Sequence, residues 1–383
     1  MGTKNIDIII PVYRQLELTR QCVESVLSAP DAAMGTIHLI NDASPEPELA
    51  DYCREVAIND RIQLLEHADN QGFVFSVNEG LRAAGDRDVV ILNSDTEVPL
   101  GWLSRLKLAA HANPNAASIT PFSNNATICS YPDFCRENEL PRDLGGREVD
   151  QMFAKANEGV SIEVPTGVGF CMFLRRAAID EVGGFDEEAF GRGYGEENDW
   201  CLKASAKGWK HYLCADVYVY HAGGASFGAE AETLQASAMA VIASRYPDYE
   251  RQIANFIEAD PIEPARHAVD LVRPDTTAVL SESRARERAE RACRYELDRQ
   301  RHDQVTRLDE LLVTTRDAAK AEAGQYESIL QSVRAEAAAR EAQYQAQVDE
   351  MAAGYAALNT EHQRLTRFWV VRIWSGLMRR LGH

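Results

Sequence analysis

Residues 88–97 read DVVILNSDTE, and this stretch decides the fold. Val89-Val90-Ile91-Leu92 is a short unbroken apolar run, the pattern of a strand buried on both faces of a sheet. It ends abruptly in Asn93-Ser94-Asp95. In open α/β sheets, ligands sit just beyond the carboxyl ends of the strands. A carboxylate in that position can hold a hard divalent cation against a diphosphate.

Upstream, the same grammar repeats. Ile6 to Val12 (IDIIIPV) reads as a buried first strand, and Leu16 to Ala29 shows helical spacing of Leu16, Cys22, Val23, Val26 and Leu27. Ile37 to Ile40 is a second strand ending in Asn41-Asp42-Ala43-Ser44, and Ile62 to Leu65 a third, followed by a helix from Ser76 to Ala84. This alternation predicts an α/β fold with a mostly parallel sheet flanked by helices. Trp102 to Ala112 reads as another helix. Residues 120–160, rich in Asn, Pro, Gly and charge, read as loops over the active face. Strand character returns at Gly169 to Leu174 and His211 to Tyr220, with a helix from Glu196 to Lys207 between them. A helical stretch from Ala229 to Phe256 closes the globular part, giving a first domain over 1–265.

The chain is 383 residues long with a net charge of −19, unevenly spread. Residues 1–265 carry 21 Lys and Arg against 41 Asp and Glu, while residues 266–383 carry 19 against 18. An acidic globular part excludes nucleic acid as the expected partner, because phosphate neutralisation needs clustered Lys and Arg. Nucleotides stay open, since a metal can manage their phosphates. The eight cysteines form no CxxC pair, and several lie in apolar stretches as small buried hydrophobes. Without a signal-peptide pattern or a membrane-length apolar run, the expected location is the cytoplasm, with peripheral contact at the inner face of the membrane.

From Ala278 to Arg367 the texture changes to Ala, Glu, Arg and Gln, without Pro. Tyr344, Val348, Met351, Tyr355, Leu358 and Leu365 follow a 4-3-4-3 rhythm broken only by His362, which is heptad spacing. Residues 266–363 are therefore expected to form a coiled coil that makes a homo-oligomer, the alternative being a charged helical tail with no partner. After Glu361 no acidic residue occurs. Arg364, Arg367, Arg372, Arg379 and Arg380 surround Phe368, Trp369, Val370, Val371, Ile373, Trp374, Leu377, Met378 and Leu381. A basic, aromatic amphipathic helix over 364–383 suits an anionic membrane surface; docking on its own acidic domain is the alternative.

Four constellations carry the chemistry. Asp42, at the end of the second strand, can accept a hydrogen bond from a nucleobase N–H. Asn70, Gly72 and Asn78 lie in NQGFVFSVN, where Gly72 permits close backbone approach and Asn78 is expected to face the same cleft. Asn93-Ser94-Asp95 is the third, and Glu196, Glu197, Asp199 and His221 form the fourth. Glu196, Glu197 and Asp199 also suit a helix N-terminus as favourable charges, and His221 also reads as a satisfied structural histidine.

Taken in order, IDIIIPVY, LINDAS, NQGFVFSVNEGL, VILNSDTEV, GGFDE, YGEENDW and VYHAGGASF resemble the glycosyltransferase family 2 pattern of the GT-A fold over residues 5–230. The resemblance implies inverting transfer of a sugar from a nucleotide diphosphate to an acceptor hydroxyl. Asn93-Ser94-Asp95 stands where the family has its DxD metal motif, with Asn in the first place, so the metal-binding carboxylate falls to Asp95 alone. His221 is expected to join it, and the donor set suits Mn²⁺ or Mg²⁺. Pro11, Tyr13, Asp42, Asn70, Gly72, Asn78, Asn93 and Ser94 are implied to contact the nucleotide, with UDP or dTDP preferred and guanine open. Glu197 stands at the family's catalytic carboxylate as the base, with Asp199 as the alternative. Trp102, Asp186 and Glu196 are the acceptor-side expectations, and the acceptor is expected to be a surface glycan, a glycoconjugate or a lipid-linked sugar. The missing first Asp also admits a non-catalytic nucleotide-sugar-binding scaffold assembled through the coiled coil. A nucleotidyltransferase would need a basic residue in a glycine-rich setting near the first strand, and Arg14 lacks one.

Overall fold

Two strands explain why the sheet is the centre of the molecule. In β1 (Ile6–Val12), Ile8, Ile10 and Val12 enter one apolar cluster while Ile9 enters a second on the opposite face. In β4 (Val89–Leu92), Val90 and Leu92 face the first cluster, and Val89 and Ile91 the second. Side chains alternate across a strand, so an unbroken apolar run must be covered on both sides. Helices supply that cover: Leu16–Ser28 contributes Cys22, Val23 and Val26 to the first cluster, and Phe73–Ala83 contributes Val74, Val77 and Leu81 to the second.

The computed structural model describes residues 5–140, 144–191, 193–223, 231–273 and 279–380. The other strands are β2 (Met34–Asn41), β3 (Ile62–Glu66), β5 (Thr96–Glu97), β6 (Ala116–Phe122), β7 (Ser161–Val164), β8 (Cys171–Leu174), β9 (Lys210–Tyr218) and β10 (Tyr220–His221). Eight of them form one mixed sheet in the order β3-β2-β1-β4-β8-β6-β9-β7, and β10 pairs with β5 in a separate ribbon. The β1–β2, β2–β3, β1–β4 and β6–β9 pairs are parallel, whereas β8 runs antiparallel to both β4 and β6, and β7 antiparallel to β9. The parallel half matches the expectation. The antiparallel insertion of β8 beside β4 is what builds the site.

Residues 120–160 are not simply loops. They continue β6, whose seven residues are all buried, and contain the helix Gly146–Ala156, which buries Val149 and Phe153. The expected single helix over 229–256 is two, Ala231–Arg245 and Tyr249–Ala259, separated at Pro247, whose ring cannot sit inside a helix. Another helix, Pro47–Val56, lies between β2 and β3. The first compact unit also extends past residue 265: the helix Glu263–Val272 buries Ala265 and Val269, and Tyr131 donates to Asp270 at 2.8 Å. This unit runs to Tyr295 and a second from Glu296 onward.

The second unit is helical through Arg380, the end of the helix Val279–Arg380. Its described large apolar side chains, from Leu308 to Ile373, are 50–77% exposed. Of the basic aromatic end, the side chains of Trp369, Val371, Trp374, Leu377, Met378, Arg379 and Arg380 and the whole of Leu381 lie outside the described residues, as do Gly224 to Phe227 of the VYHAGGASF motif. No helix among the described residues is long and apolar enough to cross a membrane.

Close packing of helix Phe73–Ala83 on β1 needs Gly80. A Cβ there would stand 2.5 Å from Ile9 Cγ2, an atom of a fully buried branched side chain that cannot swing away. Ala would gain about 1 kcal/mol in helix propensity over Gly, against an overpacking cost of about 1–3 kcal/mol. Gly80→Ala is expected to lower the denaturant midpoint; a midpoint above wild type would show that this helix is not pressed on the strand.

Candidate active site

The site grows from the end of β4. Leu92 pairs with Cys171, so the next backbone N–H, of Asn93, donates to the Phe170 carbonyl at 2.8 Å. The Asn93 carbonyl accepts from the Thr96 hydroxyl at 2.7 Å, which folds the NSD turn back on itself. β10 then pairs antiparallel with β5, placing His221 opposite Thr96, and the Ala222 N–H donates to the Asp95 carbonyl at 3.0 Å. The sequence reads 211–220 as one strand. In the structure it breaks at Val219, and that break carries His221 off the main sheet to Asp95.

His221 Nε2 lies 3.3 Å from Asp95 Oδ1. Its Nδ1 is 2.7 Å from the Asn125 carbonyl, its backbone N–H donates to Asn124 Oδ1 at 2.9 Å, and its ring stacks on Phe170 at 5.2 Å. A carbonyl only accepts, so Nδ1 must carry the proton. In the neutral ring, Nε2 is then a lone pair aimed at a carboxylate oxygen. Two acceptors face each other, and a positive charge belongs between them: a second ring proton or a metal ion. Burial lowers the His221 pKa, but the hydrogen bond and charge of Asp95 outweigh it and the net shift is upward. One imidazole nitrogen, oriented from behind by a carbonyl, and one carboxylate fit a divalent cation whose other ligands are phosphate and water oxygens. Among the described residues no group of three His, Cys, Asp or Glu side chains gathers as a closed metal cage.

Glu197 comes to the same region along a different route. Gly195, in the left-handed conformation at φ 80°, turns the chain into the helix Glu196–Ala206. Glu197 borders Gly169, where a Cβ would lie 3.8 Å from its Cγ, and Gly169 precedes Phe170. Burial pushes the Glu197 carboxyl up, opposed by the backbone N–H groups of Glu197, Asn198 and Gly195 and by Glu196. Burial and the charge of Glu197 push Glu196 well up. The two carboxyls thus behave as a pair in which Glu196 holds its proton longer. Glu197 Oε2 is buried and has no hydrogen-bond partner.

Asp199 is not placed to be the base. It is buried and bound to Lys203 Nζ at 2.6 Å, Arg245 Nη1 at 2.9 Å and the Tyr246 hydroxyl at 2.9 Å. Asp186 shares Arg245 at 2.8 Å and caps the short helix Glu187–Phe190 by accepting from the Ala189 N–H. Both acids tie helix Ala231–Arg245 down. Trp102 is wholly buried at a helix start, inside the apolar core, and reaches no acceptor. Asn78, expected to face the nucleotide, is engaged elsewhere. Its amide donates to the Phe185 carbonyl at 2.8 Å and Glu187 at 2.7 Å, and its oxygen accepts from the Phe185 N–H at 2.8 Å. A side chain with every group engaged is a staple between two segments.

The remaining expected residues lie at the ends of three adjacent strands. Pro11 and Tyr13 are half-buried at the end of β1, beside β4 on one side and β2 on the other. The Asp42 N–H donates to the Val12 carbonyl at 2.9 Å. The Asp42 carboxylate accepts from the Gln71 N–H at 2.7 Å, the Gly72 N–H at 2.8 Å and His67 Nδ1 at 2.7 Å. Gly72 sits at φ 94°, a value that needs glycine, and Asn70 is exposed beside it. Four groups escaped the sequence reading: Glu46, which accepts from the Gln15 and Leu16 N–H groups, His67, and the Asn124-Asn125 pair that orients His221. None belongs to a motif with a spacing of its own.

Residues 7–183 match the family model described as "Glycosyl transferase family 2". An uncharacterized protein, y4gI, of Sinorhizobium fredii is 24% identical over 242 residues, covering 60% of this chain and 26% of that protein. An uncharacterized glycosyltransferase of Rickettsia bellii is 34% identical over 170 residues, covering 43% of this chain and 22% of that one. The chain thus spans about a quarter of the length of these curated relatives. Among solved structures, mannosyltransferase PcManGT of Pyrobaculum calidifontis, in complex with GDP-Man and Mn²⁺, aligns over 71% of each chain at 16% identity and a TM-score of 0.43. GalNAc-T7 with UDP, GalNAc and Mn²⁺ aligns over 75% of this chain and 55% of that one, at 13% identity and a TM-score of 0.49. The strand-end motifs at Asp42, Gly72 and Asp95 all fall inside residues 7–183, the part of the chain similar to the glycosyl transferase family 2 model.

Proposed function

We propose that this protein is an inverting glycosyltransferase that moves a sugar from a nucleotide diphosphate to an acceptor hydroxyl. The observation that carries the reading is the juxtaposition, beside the central β4–β8 pair, of the Asp95–His221 pair and Glu197, joined through Gly169 and Phe170. Asp95 and His221 would hold Mn²⁺ or Mg²⁺, which supplies positive charge against the phosphate oxygens of the leaving diphosphate. Tyr13, Asp42 and the Gln71-Gly72 backbone form the corner for the nucleoside. Asp42 spends three of about four acceptor positions on the protein, which leaves one for the N3–H of uracil or thymine. Glu197 accepts the proton of the acceptor hydroxyl as its oxygen bonds the anomeric carbon, and the C–O bond to the diphosphate breaks on the opposite face. A carboxylate with a raised pKa and a buried, unpartnered oxygen suits a base working near neutrality.

The second unit supports a membrane-side acceptor, a surface glycan or a lipid-linked sugar. Phe368, Val370 and Ile373 are exposed among Arg364, Arg367 and Arg372 on a helix with no acid after Glu361. Desolvating such a face on anionic lipid is favoured by both its charge and its apolar area. The exposed Tyr344, Val348, Met351, Tyr355, Leu358 and Leu365 support pairing with a second copy of the chain.

Two outcomes are expected. Glu197→Gln should lower turnover of the nucleotide sugar about 10²–10⁴-fold while leaving nucleoside diphosphate affinity near wild type; retained turnover would remove Glu197 from the base role. Deletion of residues 364–383 should release the protein from anionic vesicles in a flotation assay while a soluble acceptor is still glycosylated. Undiminished flotation would contradict the membrane contact.

A further inference from the structure

His67 is wedged between two carboxylates. Its Nδ1 lies 2.7 Å from Asp42 Oδ1 and its Nε2 lies 2.6 Å from Glu79 Oε2. Its side chain is 8% exposed, that of Asp42 6% and that of Glu79 33%. Ionised carboxylates accept hydrogen bonds and donate none, and a neutral imidazole has one N–H. Both contacts are satisfied together only when both ring nitrogens carry protons. The Phe75 ring meets the imidazole edge-on at 5.3 Å, and the Arg82 guanidinium lies over that phenyl ring, not against the histidine. Glu66, next in the chain, is turned to Arg54 at 2.9 Å and to Asn41. The charged groups that face His67 are therefore Asp42 and Glu79.

The same Asp42 oxygen that meets His67 also accepts the Gln71 N–H, and the other accepts the Gly72 N–H. Helix Phe73–Ala83, which carries Glu79, begins at Gly72. His67 therefore ties the start of this helix, its first exposed turns and the strand-end carboxylate into one corner. We propose that imidazolium His67 is a positioning residue: by bridging Asp42 and Glu79 it holds the Asp42–Gln71–Gly72 corner in the shape that binds the nucleoside, and donor affinity falls when it loses its proton. This rests on the transferase reading above, in which that corner is the nucleoside site. Burial disfavours the charged ring, but the hydrogen bonds and charges of Asp42 and Glu79 prevail and its pKa is raised. A raised histidine pKa means the clamp is complete at acid pH and is lost as pH rises through the folded-state value.

The test uses the full-length chain and its His67→Gln and Glu79→Gln variants. Calorimetry with UDP, dTDP and GDP is run from pH 6 to 8.5 with Mg²⁺, and amide hydrogen exchange of the 68–73 segment is followed over the same range, corrected for intrinsic rates. In wild type, the Kd of the diphosphate that binds should rise by up to about tenfold per pH unit above the His67 titration, and protection of 68–73 should fall with it. Glu79→Gln should move that transition to lower pH by about one unit, because one stabilising charge is gone. His67→Gln should show neither transition. A wild-type Kd profile parallel to that of His67→Gln, or a Glu79→Gln loss that is uniform in pH, would overturn the clamp. If no diphosphate binds wild type at any pH, the transferase reading fails. The exchange data then decide the clamp alone: a pH-dependent loss of protection confined to proteins retaining His67 keeps it, and its absence removes it.

Discussion

The hydrogen bond from the Asn93 N–H to the Phe170 carbonyl is the interaction on which the site depends. It is the last rung of the antiparallel β4–β8 ladder, and it fixes where the polar end of β4 stops and the β8 approach begins. Everything chemical follows from that register. Asp95 is placed two residues beyond the rung, Phe170 offers its ring to His221, and Gly169 leaves room for Glu197. A one-residue slip of β4 would exchange its faces and send Val90 and Leu92 into the opposite core. The two apolar clusters therefore hold the geometry of the candidate site as much as they hold the fold.

Charge is managed differently in each part of the site. Asp199 and Asp186 are neutralised by Lys203 and Arg245, which makes them struts for the helix Ala231–Arg245. Asp42 is tied up by two backbone N–H groups and a histidine. Asp95, His221 and Glu197 keep unmet demand: facing acceptors in one case, a buried oxygen without a partner in the other. Unmet demand of this kind costs stability, as burying an unpaired polar group does, and Glu196 Oε2 beside Glu197 shares it.

The sequence makes the parallel half of the fold legible because its strands are continuous apolar runs with polar ends, a signal that needs no tertiary knowledge. IDIIIPV and VVIL match their strands residue for residue. The reading of 120–160 as loops fails for a physical reason. AASITPF is buried by its neighbours in the middle of the sheet despite its small and polar residues, and the helix Gly146–Ala156 is hidden among glycines and charges although Val149, Met152, Phe153 and Ala156 are helically spaced. At the site, ordered motifs locate Asp95, Glu197 and His221, but not what each side chain touches. Trp102 and Asn78 carry the right residue types at suggestive positions, yet packing buries one and hydrogen bonding saturates the other. His67 stands in no motif, and only the fold brings Asp42 and Glu79 to its two nitrogens.

The central claim is that Asp95 and His221 form half of a divalent-cation site completed by a nucleoside diphosphate. Thermal unfolding of the full chain with UDP, dTDP and GDP, each with and without Mn²⁺, tests it most directly, with Asp95→Ala as the control. A ligand at about 100 times its Kd stabilises the native state by about 2.7 kcal/mol. The unfolding midpoint is expected to rise with one diphosphate only when Mn²⁺ is present, and that rise should be lost in Asp95→Ala. Equal shifts with and without Mn²⁺, or a Mn²⁺-dependent shift that survives in Asp95→Ala, would contradict it.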